Sequence, residues 1–142
     1  MIRIPASLAA AALAVLVVPV APLASADPSD FQYVRTQTGA VRCVISAPHV
    51  GCERSSAYGF LGAPKSRSGA GNWNIASIDD NGTFAWGEGN IGGVDSDELT
   101  LVYGQTYHIK GWTVLPAFDG TRFTNDASGH GVFVSIGRVS PF

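Results

Sequence analysis

The sequence predicts an all-β protein, an antiparallel β-sandwich or small barrel with one disulfide-stapled hairpin. Its 17 glycines and its 14 phenylalanine, tryptophan and tyrosine residues are typical of short strands joined by tight turns. No 12-residue window between residues 27 and 142 has the 3.6-residue apolar period of a helix, whereas alternating apolar and polar residues recur. About seven to nine short strands are therefore expected.

The chain begins with a segment that has the pattern of an export signal. Arg3 is followed by an uncharged, mostly apolar stretch over residues 4–23, and Ala24-Ser25-Ala26 matches a small-residue cleavage site. We therefore expect a signal peptide over residues 1–26 and a single secreted β domain over residues 27–142, a length that suits one core. The mature protein is expected to be extracellular or associated with the cell wall.

The same segment is long enough to be an uncleaved membrane anchor. Pro19 and Pro22 interrupt the stretch that a spanning helix would need to be continuous, and the cleavage pattern follows them directly. Cleavage is the favoured interpretation, and no stable membrane insertion is expected after it.

The charges of the mature region argue against two classes of partner. Residues 27–142 contain eight Lys and Arg against 11 Asp and Glu, and these charges are scattered. Nucleic acids and anionic membrane surfaces require clustered positive charge, so neither is an expected partner.

Strands are predicted in the following order along the chain. The segments are 31–35, 41–45, 51–54, 73–78, 83–86, 98–103, 106–115, 121–124 and 130–136. Turn chemistry separates several of them, as at Asn81-Gly82, Gly104-Gln105 and Asp119-Gly120. Residues 63–72 are rich in glycine and serine and are expected to form a polar loop.

The only two cysteines, Cys43 and Cys52, are nine positions apart. Cys43 lies in an alternating strand, and Pro48, His49 and Gly51 supply turn chemistry before Cys52. In an oxidising compartment this arrangement predicts a disulfide across a hairpin. A redox-active pair is disfavoured, because the spacing is not Cys-x-x-Cys and no thiolate-stabilising group is adjacent.

A second pair of residues repeats this spacing. Val114 and Phe123 are also nine apart, with the Asp119-Gly120 turn between them. Both units are interpreted as hairpins whose facing positions make a cross-strand contact, covalent in the first and apolar in the second.

Four short motifs together resemble a known family. They are Thr38-Gly-Ala-Val-Arg-Cys43, Val50-Gly-Cys-Glu53, Leu101-Val-Tyr-Gly104 and Thr124-Asn-Asp-Ala-Ser-Gly-His-Gly131. The chain resembles small exported actinobacterial proteins, many of them mycobacterial, that contain a β-rich domain of unknown function. The likeness covers most of residues 31–138 and implies a secreted β module, but no established activity.

The chain departs from that family at one hairpin. Members commonly have a second cysteine pair late in the domain, and Val114 and Phe123 occupy those places here. The departure implies that the second bridge serves as scaffolding in the family.

The most distinctive tetrapeptide, Ser128-Gly129-His130-Gly131, has two interpretations. In the catalytic one, His130 is a general base, Asp126 or Asp119 orients it, and Ser128 is the nucleophile. A small extracellular hydrolase is thus an alternative function, although no Gly-x-Ser-x-Gly elbow is present. In the favoured structural interpretation the glycines permit a bulge and the histidine bonds backbone.

Cofactor and metal sites are not expected. Gly87-Glu-Gly-Asn-Ile-Gly92 matches G-x-G-x-x-G, but a strand rather than a helix is predicted after it, so we expect a flexible glycine loop. Asp79-Asp80-Asn81 and Asp95-Ser96-Asp97-Glu98 are acidic clusters without EF-hand spacing. The three histidines lack zinc-ligand spacing; they are His49, His108 and His130.

Exposed aromatic residues are the remaining signal of a function. Most aromatic side chains in a domain of this size belong to the core, and Trp86 and Tyr58 are the two most expected at the surface. The favoured function is a non-catalytic module that binds an unknown cell-envelope or extracellular component. A purely structural envelope protein is a third class that the sequence leaves open.

Overall fold

The computed structural model describes residues 30–55, 57–93 and 98–142. The predicted signal peptide, its cleavage site and residues 95–97 of the second acidic cluster lie outside the described residues.

Two β-sheets form a sandwich, which confirms the predicted fold class. In chain order the strands are β1 Gln32–Thr36, β2 Val41–Ile45, β3 His49–Arg54, β4 Ile75–Asp79, β5 Phe84–Gly87, β6 Leu99–Leu101, β7 Tyr107–Ile109, β8 Trp112–Ala117, β9 Gly120–Asn125, β10 Gly131–Val134 and β11 Val139–Pro141. The first sheet has the order β5-β4-β3-β2-β1-β6, and the second has the order β11-β10-β9-β8-β7.

Alternation along the strands builds the core between the sheets. In β2, Val41, Cys43 and Ile45 are buried while the residues between them are partly exposed. In β8, Trp112, Val114 and Pro116 alternate in the same way. Because successive side chains in a strand point to opposite faces, one face of each sheet supplies the apolar layer.

A hydrogen-bonded contact joins the two layers at the turn between β2 and β3. The indole Nε1 of Trp112 donates to the carbonyl oxygens of Ser46, at 2.9 Å, and Ala47, at 3.3 Å. Trp112 is fully buried, so the turn between β2 and β3 is tied to the second sheet without leaving the indole unpaired.

The stapled hairpin forms as predicted. Cys43 and Cys52 are joined by a disulfide and face each other in the β2–β3 register. Val114 and Phe123 face each other in the β8–β9 register, and both are buried. The sequence echo therefore corresponds to two hairpins with equivalent cross-strand pairs, one covalent and one apolar.

The observed strands differ from the expected ones in three places. The segment predicted as one strand over residues 106–115 is two strands, because Lys110 has a left-handed backbone (φ 51°) and turns the chain before β8. The last strand, β11, was not predicted, and the described chain has 11 strands in all. One pairing is parallel rather than antiparallel, that of β1 with β6.

Candidate binding groove

An apolar groove opens between the two sheets at one end of the sandwich. We call it the end groove, and its volume is about 230 Å³. The turns β1–β2, β8–β9 and β10–β11 and the segment after β6 surround it. The lining residues are Thr36, Thr38, Ala40, Val41, Tyr103, Ala117, Phe118, Asp119, Gly120, Thr121, Val134, Ser135 and Ile136.

The wall of the end groove is held by hydrogen bonds between segments distant in sequence. The backbone N–H of Tyr103 donates to the side-chain oxygen of Gln37 at 3.0 Å. The N–H of Gly104 donates to the carbonyl of Pro116 at 2.9 Å. These bonds connect the segment after β6 to both sheets, so the groove is formed before any ligand arrives.

Phe118 is the most exposed large apolar side chain of the described residues. It is 90 % exposed and lies at the tip of the β8–β9 hairpin, where its ring meets Tyr103 edge to face at 6.3 Å. Ile136, 48 % exposed, lines the same groove. Asp119 is the single charged side chain among the described lining residues. The end groove thus combines apolar surface, hydroxyl groups and one carboxylate.

The two aromatic residues predicted at the surface lie elsewhere. Trp86 is partly buried and packs against Phe60 and Phe84, with ring centroids 6.0 and 5.1 Å away. Tyr58 is 66 % exposed, and the guanidinium of Arg54 lies 5.7 Å from the centre of its ring. Neither residue lines the end groove.

Phe118, Tyr103 and Ile136 were not predicted as a set, although the sequence contains one signal for Phe118. Phe118 directly precedes the predicted turn residues Asp119-Gly120. In the structure β8 ends at Ala117 and β9 begins at Gly120, so Phe118 is itself in the two-residue turn. An aromatic residue in such a turn projects beyond the strands and has no facing sheet to cover it.

The proposed catalytic residues are not arranged as a nucleophile, base and orienter. His130 is exposed, and its Nδ1 lies 3.4 Å from the carbonyl oxygen of Phe142. The Ser128 hydroxyl accepts from the backbone N–H of His130, at 3.2 Å. Asp126 bonds Thr113 instead of His130, and Asp119 lies at the rim of the end groove. The geometry gives the hydrolase alternative no support.

A different histidine, hydroxyl and carboxylate do meet, on the outer face of the second sheet. Thr113 Oγ1 lies 3.3 Å from His108 Nδ1 and 2.5 Å from Asp126 Oδ1. An ionised carboxylate only accepts, so the hydroxyl donates its proton to Asp126 and accepts from His108. The imidazole is then not placed to withdraw that proton, and the trio acts as a cross-strand polar contact.

The glycine loop after β5 lies across the outer face of the first sheet. We call residues 88–93 the strap. Asn74 bonds both backbone groups of Gly89, and Glu53 accepts from the N–H of Ile91 at 2.9 Å. Arg42 donates to the carbonyl of Gly92 and pairs with Glu53 and Glu98. The next described element after the glycines is strand β6, and the loop residues bind the protein's own side chains.

The first acidic cluster stabilises its own turn. Asp79 Oδ1 accepts from the N–H of Thr83 at 2.7 Å, and Asn81 Oδ1 accepts from the Thr83 hydroxyl at the same distance. Within the described ranges, no three His, Cys, Asp or Glu side chains come together as a group that could hold a metal ion.

Comparisons with known proteins add no assignment. Family models, curated proteins and solved structures contain no significant match to the chain.

Proposed function

We propose that this chain is an exported, non-catalytic module that binds a cell-envelope or extracellular partner through the end groove. The observation that carries the proposal is the position of Phe118, an almost fully exposed ring at the rim of a preformed apolar groove. Solvent-exposed aromatic side chains next to a cavity are typical anchors of binding sites.

The other features of the chain support an extracellular setting. A disulfide is compatible with an oxidising compartment. In the part of the chain that the structure describes, no helix has the length and apolar character of a membrane span. The signal-like segment and the resemblance to exported actinobacterial proteins favour the same setting.

The larger polar depression beside the strap is a weaker candidate. It has a volume of about 400 Å³, and its lining includes Arg42, Glu53 and Asn74. The polar groups of these three residues already bond one another or the strap. Few of its donors and acceptors are therefore free for a ligand.

Retention on isolated cell walls tests the proposal. We would compare the mature protein with Phe118→Ala in a sedimentation assay on actinobacterial cell walls, with Leu61→Ala as the control. Leu61 is 57 % exposed and does not line the end groove. We expect the mature protein and Leu61→Ala to be retained, and Phe118→Ala to bind at least about fivefold more weakly, as for loss of about 1 kcal/mol at an anchor.

A fluorescent variant detects binding by a signal other than the amount of protein retained on the cell walls. Phe118→Trp places an indole at the exposed position, and burial against a partner would shift its emission to the blue. Absence of retention of the mature protein would remove the proposal. Equal retention of the Phe118→Ala variant would show that the groove is not the site. Loss of binding in His130→Ala but not in Phe118→Ala would favour a site at His130 instead.

A further inference from the structure

The outer face of the second sheet carries two arginines that lie on phenylalanine rings. The guanidinium carbon of Arg122 lies 3.5 Å from the centre of the Phe142 ring, and that of Arg138 lies 4.7 Å from the centre of the Phe133 ring. Arg122 and Phe133 are directly opposite each other in the β9–β10 register. We call these four residues the arginine–phenylalanine face.

Two glycines make room for the rings. A Cβ atom at Gly131 would lie 2.6 Å from Cζ of Phe142, and one at Gly120 would lie 2.9 Å from Cε1 of Phe133. Each ring therefore lies over a position where no side chain is present. The sheet thus provides a platform on which two aromatic rings support two cations.

The two arginines lie on aromatic rings rather than in ion pairs. A guanidinium placed in this way keeps N–H donors available for carboxylate, sulfate or phosphate oxygens. Within the described ranges, the guanidinium groups of Arg122 and Arg138 form no salt bridge and no hydrogen bond. Arg138 bonds the Ser135 hydroxyl through its backbone. Stacking also limits their side-chain freedom, which lowers the entropy lost when an anion binds.

The shape of the face favours a polymer over a single ion. Arg122 and Arg138 are both exposed, and neither lines the end groove or the polar depression beside the strap. An exposed ion pair contributes little alone, and repeated contacts along a polymer are needed for stable binding. Leu115, 41 % exposed and opposite Arg122 in the β8–β9 register, adds apolar surface.

We infer that the arginine–phenylalanine face binds an acidic glycan, a carbohydrate chain with repeated carboxylate or sulfate groups. The acid groups would take bidentate hydrogen bonds from Arg122 and Arg138, and the apolar edge of a sugar ring would contact Leu115. Two of the positive charges that are scattered along the sequence lie together here, because Arg122 is opposite Phe133 and Arg138 lies over the same ring. The choice of a glycan over other polyanions rests on the proposed extracellular location. The face itself is separate from the end groove, and its residues are not among the groove's lining.

Binding to defined glycans tests the inference. We would titrate the mature protein with oligogalacturonate, which bears carboxylates, with dextran sulfate, and with neutral dextran. We expect binding of at least one acidic glycan, no binding of dextran, and weaker binding as salt is raised. The double variant Arg122→Gln/Arg138→Gln should lose about tenfold or more in affinity, since two contacts are removed together.

Matched variants separate this site from general charge. Arg67→Gln removes the same charge from an exposed loop and should bind like the parent. Arg122→Lys/Arg138→Lys keeps the charge but loses the fork of donors, and we expect an intermediate affinity. Thermal unfolding of each variant checks that the fold is retained.

Absence of binding to either acidic glycan would overturn the inference, as would any of three further results. The first is undiminished binding by the double glutamine variant, and the second is an equal loss in Arg67→Gln. The third is tighter binding of polyglutamate than of either acidic glycan through the same arginines, which would assign the face to acidic peptides. The Phe118→Ala variant should bind acidic glycans normally, so failure here is distinguishable from failure of the end-groove proposal.

Discussion

At the scale of single residues, Gly131 lies where neighbouring atoms leave no room for a side chain. A Cβ atom there would overlap the carbonyl oxygen of Phe123 and touch the Phe142 ring. We expect Gly131→Ala to lower the free energy of unfolding by about 1–3 kcal/mol or more, as overpacking does, measured by urea denaturation.

Gly137 provides the control for that substitution. A Cβ atom there would meet nothing within 4 Å, and its φ is not in the left-handed region. Gly137→Ala should leave the unfolding free energy unchanged or raise it by about 0.4–1 kcal/mol. Equal destabilisation by both substitutions would show that the close approach at Gly131 is not the cause.

Removal of the Trp86 and Tyr58 side chains should destabilise the protein to different extents. Trp86 packs against the buried ring of Phe60 and the partly buried ring of Phe84, so we expect Trp86→Ala to destabilise the protein by about 2–4 kcal/mol, as the loss of a partly buried aromatic side chain does. Tyr58→Ala removes an exposed ring and should cost less than about 1 kcal/mol. Thermal denaturation of both variants measures the contrast, and equal losses would contradict it.

Sequence patterns identified the residues that alternate but not those exposed by turns. Cys43, Cys52, Val114 and Phe123 were predicted to face each other, because hairpin spacing and alternation are local properties. Phe118 was not singled out as part of a groove, because its place beside Tyr103 and Ile136 depends on which turns meet at the end of the sandwich. That arrangement follows from long-range pairing, which single-sequence patterns do not encode.

At the scale of elements, the strap depends on a small buried charge network. Arg42 on β2 pairs with Glu53 at 2.7 Å and with Glu98, whose side chain is 1 % exposed. We expect Arg42→Gln to cost about 3 kcal/mol of unfolding free energy, because it leaves two carboxylates without their cation. Arg35→Gln on the neighbouring strand is the matched control. Arg35 is exposed and bonds the Thr100 hydroxyl, so its substitution should cost less than about 1 kcal/mol.

Amide hydrogen exchange at two positions distinguishes loss of the strap from loss of the whole fold. Amide hydrogen exchange should accelerate first at Gly89 and Ile91, whose N–H groups bond Asn74 and Glu53. Unchanged protection at both amides in Arg42→Gln would contradict a role of Arg42 in holding the strap.

The disulfide across the β2–β3 hairpin stabilises the fold by restricting the unfolded chain. It closes a loop of sequence separation 9, for which the chain-entropy model gives about 2.5–3 kcal/mol. Reduction should lower the unfolding free energy by that amount, measured by urea denaturation with and without reductant. The Cys43→Ala/Cys52→Ala variant should not respond to reductant, and a response would assign the effect to another cause.

At the scale of the whole molecule, Trp112 connects the two sheets. Trp112→Phe removes a buried donor that bonds Ser46 and Ala47 and leaves a cavity, so we expect a loss of about 2–4 kcal/mol. Trp73→Phe is a useful control, because the buried Nε1 of Trp73 has no partner within the described residues. The loss of unfolding free energy in Trp73→Phe should be smaller than that in Trp112→Phe. A larger loss in Trp73→Phe would contradict a role of the Trp112 hydrogen bonds in joining the sheets.

The overall architecture was predictable to the level of its class. Composition and alternation indicated an antiparallel β-sandwich or small barrel with a stapled hairpin, and the structure is a sandwich with that hairpin. The division of residues 106–115 into two strands was missed, because the left-handed Lys110 has no strong sequence signal. The strap was recognised as a loop, but its attachment to Arg42, Glu53 and Asn74 depends on strands that are distant in sequence.

The parallel pairing of β1 with β6 has a consequence for how the chain reaches its native state. The other strand pairs join strands that are consecutive in sequence, so each of those pairs can form locally. Val34 of β1 can pair with Leu99 of β6 only after most of the chain has been made. Closing so long a loop is entropically costly and slow. Until then β1 offers an unpaired edge to other chains, so a nascent polypeptide ending before β6 would be prone to aggregate.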